Sequence, residues 1–288
     1  MISHIPMISL PGLKHNTGKT LMTHAVLLTY TVIALFPILV IIVNAFKSRQ
    51  AIFKDPLALP SPDSFSLEGF EQVLGRADFG LYFGNSLIVT LIALFFVLLF
   101  GAMAAWALTE YKFRGNLFLA VLIAMGIMIP IRLGTVSILN LMASLDLVNT
   151  LSALVLVYIA QGLPLAVFIL SEFIRQVPRE LKEAARCDNV SEYKIFFTII
   201  LPLIRPAMAT VPVFTMIPIW NDLWFPLILA PGESTQTITL GVQQFIGQYV
   251  TDWNAVLSSL TLAIVPVLVL YVIFSRQLIR GLTSGAVK

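Results

Sequence analysis

The sequence has little charge for its length. Asp, Glu, Lys and Arg make up 11% of its 288 residues, whereas 58% are hydrophobic and the mean hydropathy is +0.91. A soluble domain usually carries about 25% charged residues, so this chain has too few to cover its surface in water. A lipid bilayer is therefore part of its solvent. The small net charge of +3 gives no reason to expect nucleic acid as a partner.

Cysteine, histidine and catalytic motifs are also scarce. The single cysteine, Cys187, excludes an intrachain disulfide and a cysteine-based metal cluster. The three histidines lie in or beside the N-terminal tail, and no HExxH or GxSxG motif occurs, so we expect no metal site and no catalytic residue. Residues 12–20 end in Gly-Lys-Thr, but five residues separate the glycines where a phosphate-binding loop has four. We therefore expect no cofactor bound by this chain.

Long apolar stretches predict about six transmembrane helices, since about 20 apolar residues cross a bilayer as a helix. The expected helices cover 24–46, 85–108, 117–142, 148–171, 206–229 and 255–276. The fold class is then an all-α membrane protein with one transmembrane domain, 23–280, and short tails, 1–22 and 281–288. Pro130 and Arg132 interrupt the third stretch, which predicts a broken helix.

The distribution of Lys and Arg predicts the orientation in the membrane. Thirteen of the 18 lie on the side that holds both termini and the charged segment 172–205. By the positive-inside rule, this side faces the cytoplasm. The segments after helices one and five then face outward. The first of these, residues 47–82, contains the run PLALPSPDSFS (56–66), which is rich in Pro and Ser and predicts an extended crossing.

Within the charged segment, the sequence predicts a short helix, a sharp turn and a second helix. Pro178 suits the first turn of a helix, where its missing N–H costs nothing. Asn189 tolerates the left-handed conformation in which many helices end. Ser191 suits the cap of the following helix.

The first of these helices has features of a docking surface. Ala184 and Ala185 leave room for a partner to approach closely, and basic residues on one side of the helix would fix its orientation. These basic residues are Arg179, Lys182 and Arg186. The alternative is an amphipathic helix that rests on anionic headgroups, and the residues alone favour neither.

Polar residues inside a bilayer are costly and indicate functional positions. Asp222 and Asn221 lie in the outer half of predicted helix five, between Trp220 and Trp224. Amide and carboxylate groups bond sugar hydroxyls and indole rings stack on sugars, so these residues are candidates for a substrate path. Two alternatives stay open: Asp222 pairs with Arg132, or the tryptophans form an aromatic belt. Weaker candidates for a polar cavity are Asn85, Gln161 and Asn140.

Several of these residues carry a family resemblance. The run Glu183-Ala184-Ala185, the pair Asp188-Asn189 and the later Ile199-Ile200-Leu201-Pro202 resemble the cytoplasmic loop signature of permease subunits of binding-protein-dependent ABC importers. The family usually has Gly where this chain has Asn189, and Asn preserves the turn. Trp220-Asn221-Asp222 and Asp252-Trp253 are similar to the carbohydrate, maltose-type branch, specifically its six-helix partner subunit.

The resemblance implies a type I ABC importer permease fold and ATP-driven import of a sugar or small oligosaccharide across the bacterial cytoplasmic (inner) membrane. The implied partners are a second permease subunit in a heterodimer, two ATPase subunits that carry ATP and Mg, a solute-binding protein, and the sugar. An ABC permease for another solute is one alternative. An ion-coupled secondary transporter, with Asp222 as its carboxylate, is the other.

The resemblance also implies roles for individual residues. Contact with the ATPase is implied for Glu183, Ala184, Ala185, Asp188 and Asn189, with Arg179 and Arg186 as edge charges. The outer loop over residues 234–253 would contact the binding protein. Its candidate contact residues are Gln243, Gln244, Gln248, Tyr249 and Asp252.

Overall fold

The computed structural model describes residues 17–76, 78–246 and 251–284, which are helical almost throughout. The helices are α1 (Thr17–Ala45), α2 (Arg49–Lys54), α3 (Glu68–Arg76), α4 (Phe79–Glu110), α5 (Asn116–Met128), α6 (Thr135–Ser144), α7 (Leu151–Arg175), α8 (Arg179–Cys187), α9 (Glu192–Leu203), α10 (Arg205–Trp220), α11 (Trp224–Leu229), α12 (Ile238–Val242) and α13 (Trp253–Ser284). Among these residues the only β-pairing is two isolated bridges.

Three helices are long and apolar enough to cross a membrane: most of α1, and all of α4 and α7. Two further pairs are bent at a short break, α5 with the segment Ile131–Ser144 by 93°, and α9 with α10 by 75°. If each bent pair is one crossing, the described residues contain five spans, and the shorter apolar helix Trp253–Val269 lies within α13. The break expected at Pro130 is present between α5 and α6.

The prediction of one continuous fifth helix over 206–229 is wrong. α10 ends at Trp220, residues 221–223 are not helical, and α11 begins at Trp224. The break has a local cause. The Asp222 carboxylate accepts hydrogen bonds from the backbone N–H groups of Trp224 and Phe225, each at 3.2 Å, as a capping residue does at the start of a helix.

The Pro- and Ser-rich run, residues 56–66, contains no helix, whereas α2 and α3 form on either side of it, where a loop was expected. Glu68 and Glu71 lie in the first turn of α3, where negative charge favours a helix start. Val73 of α3 is fully buried in an apolar cluster with Trp220 and Ala255. Burial of this side against α10 and α13 therefore stabilises a helix in a segment that was expected to be part of a loop.

α4 and α7 form the centre of the fold and approach closely. A Cβ placed on Gly101 would lie 2.8 Å from Cβ of Ala166, and one placed on Gly162 would lie 2.8 Å from Cγ2 of Val97. Small residues at such contacts allow helix backbones to pack tightly in a bilayer. By contrast, α1 packs against α13 and its most apolar stretch has no buried residue, which suits contact with lipid.

Candidate functional sites

The turn after α8 has the left-handed conformation expected from the sequence. Asn189 has φ of 58°. The N–H of Val190 donates to the carbonyl of Ala185 and that of Asn189 to the carbonyl of Arg186, both at 3.0 Å. This is the Schellman pattern, which satisfies the last carbonyls of a helix. Ser191 stands at the cap of α9, but its side chain makes no capping hydrogen bond.

The two sides of α8 differ in exposure, since residues three or four apart share a face of a helix. The outward face is exposed and consists of Glu180, Glu183, Ala184 and Cys187. The inward face is largely buried and consists of Lys182, Ala185 and Arg186. Asp188 and Asn189 are exposed in the turn that follows, and Arg179 is exposed at the first residue of the helix.

The inward face of α8 joins α4 and α9 through charged side chains. Lys182 Nζ donates to Glu110 Oε2 at 2.5 Å, and Arg186 Nη2 donates to Glu110 Oε1 at 2.7 Å. Arg186 Nε also donates to Glu192 Oε1 at 2.7 Å, and the Tyr111 hydroxyl donates to Glu192 Oε2 at 2.7 Å. The hydrogen bonds to Glu192 and Glu110 raise the pKa of Arg186 above its ordinary value, so its guanidinium stays charged.

Two of the residues proposed for partner contact therefore face into the chain. Arg186 was expected as an edge charge, but its guanidinium is bonded within the chain to two carboxylates. Ala185 is 8% exposed and packs in the same apolar cluster as Ile195 and Phe196. The remaining candidates are all exposed: Glu183, Ala184, Asp188, Asn189 and Arg179.

A second cluster of polar residues joins the breaks in the third and fifth spans. Arg132 Nη2 lies 3.2 Å from Asp222 Oδ1, so the pairing that the sequence left as one alternative is present. Tyr158 on α7 donates its hydroxyl to Asp222 Oδ2 at 2.9 Å. With the N–H groups of Trp224 and Phe225, the Asp222 carboxylate accepts four hydrogen bonds. Asp222 is therefore saturated within the chain.

In the ion pair between Arg132 and Asp222, the Asp222 side chain is buried, whereas the Arg132 side chain is 64% exposed. A cavity of about 680 Å³ lies at the break between α5 and α6, and its polar lining includes Arg132 and the exposed Gln161 of α7. The Arg132 guanidinium lies 5.9 Å from the ring centroid of Trp224, whose Nε1 donates to Thr135 Oγ1 at 3.0 Å. Asn221 directly precedes Asp222 in the sequence and is exposed. Its amide nitrogen donates to the carbonyl of Ile217 at 2.9 Å.

The two helix breaks and Gln161 lie at a similar distance from the end of the molecule that carries α8. With a rise of 1.5 Å per residue, the 13 residues of α5 span about 20 Å and the 16 residues of α10 span about 24 Å. Gln161 lies 14 residues before the end of α7 at Arg175, which is about 21 Å. A hydrocarbon core is about 30 Å thick, so a core that begins at these helix ends would enclose both breaks and Gln161. An exposed arginine at such depth requires water or a polar partner.

Other candidates for the substrate path have structural contacts. Trp220 is 2% exposed, donates Nε1 to the carbonyl of Ala263 at 3.1 Å and meets Phe83 edge to face, so it offers no ring to a ligand. Asn85 is 4% exposed, and its amide nitrogen donates to two carbonyls of the outer loop. Asn140 is exposed on α6 but does not line the cavity.

Residues 230–246, which contain the described first part of the predicted outer loop, pack on the beginning of α4. Gln244 donates to the Tyr82 hydroxyl at 3.1 Å and to Gln236 Oε1 at 2.7 Å, and both Gln243 and Gln244 are exposed. Asp252 is half-buried and accepts a hydrogen bond from the N–H of Ala255 at 3.3 Å, close to the start of α13. The remaining two residues of this group, Gln248 and Tyr249, lie outside the described residues.

Sequence reasoning missed Glu110, Glu192, Tyr111 and Tyr158, which complete the two polar clusters. A Glu at the end of an apolar helix gives a weak signal, because its partner Lys182 is 72 positions away. Within the described part of the chain, no group of three or more His, Cys, Asp or Glu residues is placed to hold a metal ion.

Apolar spans, a short helix exposed on one face and two broken helices joined by polar contacts fit a membrane-spanning subunit of a larger assembly. Residues 97–284 match the family described as binding-protein-dependent transport system inner membrane component. The chain belongs to this family, and it is therefore a permease component located in the inner membrane.

Similar proteins include permeases whose names specify sugars. The diacetylchitobiose uptake system permease protein NgcG of Streptomyces coelicolor is 32% identical over 91% of this chain and 87% of its own length. The arabinooligosaccharides transport system permease protein AraQ of Halalkalibacterium halodurans is 33% identical over 89% and 92%. The melibiose/raffinose/stachyose import permease protein MelC of Bacillus subtilis is 32% identical over 79% and 83%.

The fold is that of a known importer permease. A chain from the crystal structure of a bacterial ABC transporter involved in the import of the acidic polysaccharide alginate covers 94% of this chain and 99% of its own length, with a TM-score of 0.78 at 19% identity. The alginate transporter in complex with a pentasaccharide-bound periplasmic protein covers 92% and 95%, with a TM-score of 0.63 at 17% identity. The type I importer permease fold that the resemblance implied is thus confirmed.

Proposed function

We propose that this chain is one of two membrane subunits that form the path of an ATP-driven importer for a sugar or small oligosaccharide. Permeases for diacetylchitobiose, arabinooligosaccharides and melibiose-type sugars at 32–33% identity support this substrate class. The second membrane subunit, a pair of ATPase subunits that bind ATP and Mg, and a solute-binding protein complete the proposed complex. Both termini and α8 face the cytoplasm, in keeping with the positive-inside rule.

The observation that carries the proposal is the division of α8 into two faces. The inward face is fixed to the chain by ion pairs, while the outward face presents Glu183 beside the small side chain of Ala184 to solvent. A rigid helix with a small residue at its exposed centre is suited to enter a cleft of another protein. We therefore propose that the outward face and the turn residues Asp188 and Asn189 contact the ATPase.

The docking proposal is tested with the assembled complex in proteoliposomes. Ala184→Trp adds bulk at the proposed contact, and Glu183→Arg reverses its charge. We expect each substitution to lower ATP-dependent uptake about tenfold or more, the effect of losing about 1.4 kcal/mol of contact free energy. The amount of the chain in the membrane should not change, because both side chains are exposed.

Matched controls are available on α9, on the same side of the membrane. Thr198→Trp adds the same bulk at an exposed position, and Lys194→Glu reverses a charge with the opposite sign. Both controls should retain wild-type uptake. Wild-type uptake by Ala184→Trp together with Glu183→Arg would rule out docking through α8.

We further propose that the cavity beside Arg132 is this subunit's part of the substrate path. Gln161 and the exposed part of Arg132 supply hydrogen-bond donors, while Trp224 and Asn221 lie at the adjoining break. Because Asp222 neutralises Arg132, the site suits an uncharged sugar. The saturated Asp222 carboxylate has no free oxygen for a proton relay, which argues against an ion-coupled transporter.

The outer loop supports the proposed contact with a binding protein. Gln243 and Gln244 are exposed there, Asp252 is half-buried at the beginning of α13, and none carries a positive charge. We propose that these residues, with Gln248 and Tyr249, contact the binding protein. Stimulation of ATP hydrolysis by the binding protein loaded with each of a panel of oligosaccharides would identify the substrate.

A further inference from the structure

α4 is fixed at both ends to segments that lie on opposite sides of the membrane. At one end, both carboxylate oxygens of Glu110 are bonded to α8, one to Lys182 and one to Arg186, which lie one helical turn apart. No covalent segment joins α8 to α4 directly, since α8 follows α7 and precedes α9 in the chain. Force between α8 and α4 is therefore carried either by side chains at their contact or through α7, which packs against α4 and precedes α8.

The junction at Glu110 is well shielded from water. The side chains of Lys182 and Glu110 are 8% and 11% exposed, and Lys182 Nζ also lies 5.5 Å from the ring centroid of Trp106, one turn before Glu110. A shielded ion pair is screened less by salt than a surface pair and resists separation more strongly. The chain offers a contrast in Glu172 and Arg175, an ion pair within α7 whose side chains are 55% and 63% exposed.

At its other end, α4 holds the outer loop. Asn85 Nδ2 donates to the carbonyl of Ser234 at 3.0 Å and to that of Gln236 at 2.9 Å. The backbone N–H of Ile238 donates to Ser86 Oγ at 2.8 Å. α4 is one unbroken helix of 32 residues, and no proline interrupts it between these two attachments. It is therefore a stiff connection between the outer loop and α8.

We propose that α4 transmits the state of the outer loop to α8, with Asn85 and Glu110 as the positioning residues at its two ends. The proposal rests on the proposed importer function, because the outer loop would receive the loaded binding protein and α8 would act on the ATPase. Docking of the binding protein then shifts α4, and Glu110 moves α8 with it. Such coupling between two sites is measured as a change in the response of one to the other.

The test measures how many fold the loaded binding protein stimulates ATP hydrolysis by the reconstituted complex. Glu110→Gln keeps the side-chain size and removes the charge, and Asn85→Leu keeps a similar size and removes both hydrogen bonds. We expect each substitution to lower the stimulation at least fivefold in complexes that assemble to wild-type amounts. Because both act on one connection, the double variant should be no worse than the more severe single variant.

Two further variants separate transmission from folding. Glu172→Gln removes a carboxylate of an exposed pair that joins no other helix, and it should leave the stimulation unchanged. The reversed pair, Glu110→Lys with Lys182→Glu, restores one of the two ion pairs between α4 and α8, loses the one to Arg186, and should recover about half of the stimulation. If Glu110→Gln prevents assembly, the recovery of stimulation in this reversed pair tests the proposal instead.

Some outcomes would overturn the proposal. Wild-type stimulation in either single variant, multiplied effects in the double variant, or an assembled reversed pair without recovery each contradict transmission through α4. Failure of docking is distinguishable, because Ala184→Trp would then retain uptake whatever Glu110 does. A loss of uptake in Ala184→Trp with normal stimulation in Glu110→Gln would leave docking intact and reject α4 as the connection.

Discussion

At the residue scale, one carboxylate joins two broken helices. Asp222 caps α11 with its side chain, pairs with Arg132 beyond the break in the third span, and accepts the hydroxyl of Tyr158. A buried charge in a bilayer is costly, and this set of four donors compensates for it. The residues that we propose to interact with a solute are therefore those around Asp222, above all Arg132 and Gln161, and not Asp222 itself.

The contribution of Gln161 to the path is testable by substitution. Gln161→Leu removes an exposed amide of the cavity lining at nearly constant size. Loss of one hydrogen bond to the sugar, worth about 1.4 kcal/mol, should raise KM for uptake about tenfold. Asn140→Leu is the matched control, since Asn140 is an exposed amide of α6 outside the cavity. Equal KM values in the two variants would exclude this cavity from the path.

At the element scale, the packing of α4 against α7 depends on the absence of side chains at two glycines. Gly101 and Gly162 allow the backbones to approach so closely that an added Cβ would lie 2.8 Å from a neighbouring side-chain carbon. Gly84, on the same helix α4, has no neighbouring atom within 4 Å of such a Cβ. Substitution by a larger residue should therefore destabilise the protein at Gly101 and Gly162 but not at Gly84.

We expect Gly101→Ala to lower the stability of the purified chain by about 1–3 kcal/mol, because the added methyl group forces α4 and α7 apart. Gly84→Ala should leave stability unchanged or raise it by up to about 1 kcal/mol, since alanine is the better helix former and open space receives its methyl group. Thermal unfolding in detergent measures both. A Gly101→Ala variant as stable as Gly84→Ala would contradict the close packing.

Local rules predicted some of these elements and missed others. The break at Pro130 and the left-handed Asn189 follow from the backbone properties of those residues alone. The capping role of Asp222 was missed because Trp220 and Trp224 continue the apolar pattern across the break. The Glu110–Lys182 pair was missed because sequence spacing carries no information on contacts 72 positions apart. The helix α8 was predicted correctly, but the side of it that faces inward was not, because tertiary contacts decide that side.

At the scale of the whole molecule, the distribution of basic residues predicts that α8 lies in the cytoplasm. Cys187, the only cysteine of the chain, is exposed on the outward face of α8 and reports on this orientation. In cells that produce the chain without its ATPase, a membrane-impermeant maleimide should react with Cys187 only after the inner membrane is opened.

The control places a cysteine on the other side. In a Cys187→Ser background, Ser61→Cys introduces an exposed thiol between α2 and α3, and the same reagent should label it in intact spheroplasts. Labelling of Cys187 in intact spheroplasts would contradict the proposed orientation. Addition of the ATPase to opened membranes should slow the reaction of Cys187, because the docked subunit covers the outward face.

The two faces of α8 also have a consequence for subunit exchange between transporters. Each residue of an α-helix turns it by about 100°, so inserting one residue between Lys182 and Arg186 would direct one of them away from Glu110 and disrupt its contact. Replacing only the outward residues would leave the attachment to α4 intact. From the proposed docking of α8, we therefore expect that exchanging side chains on its outward face would let the permease work with a foreign ATPase, and that transplanting a helix of different length would not.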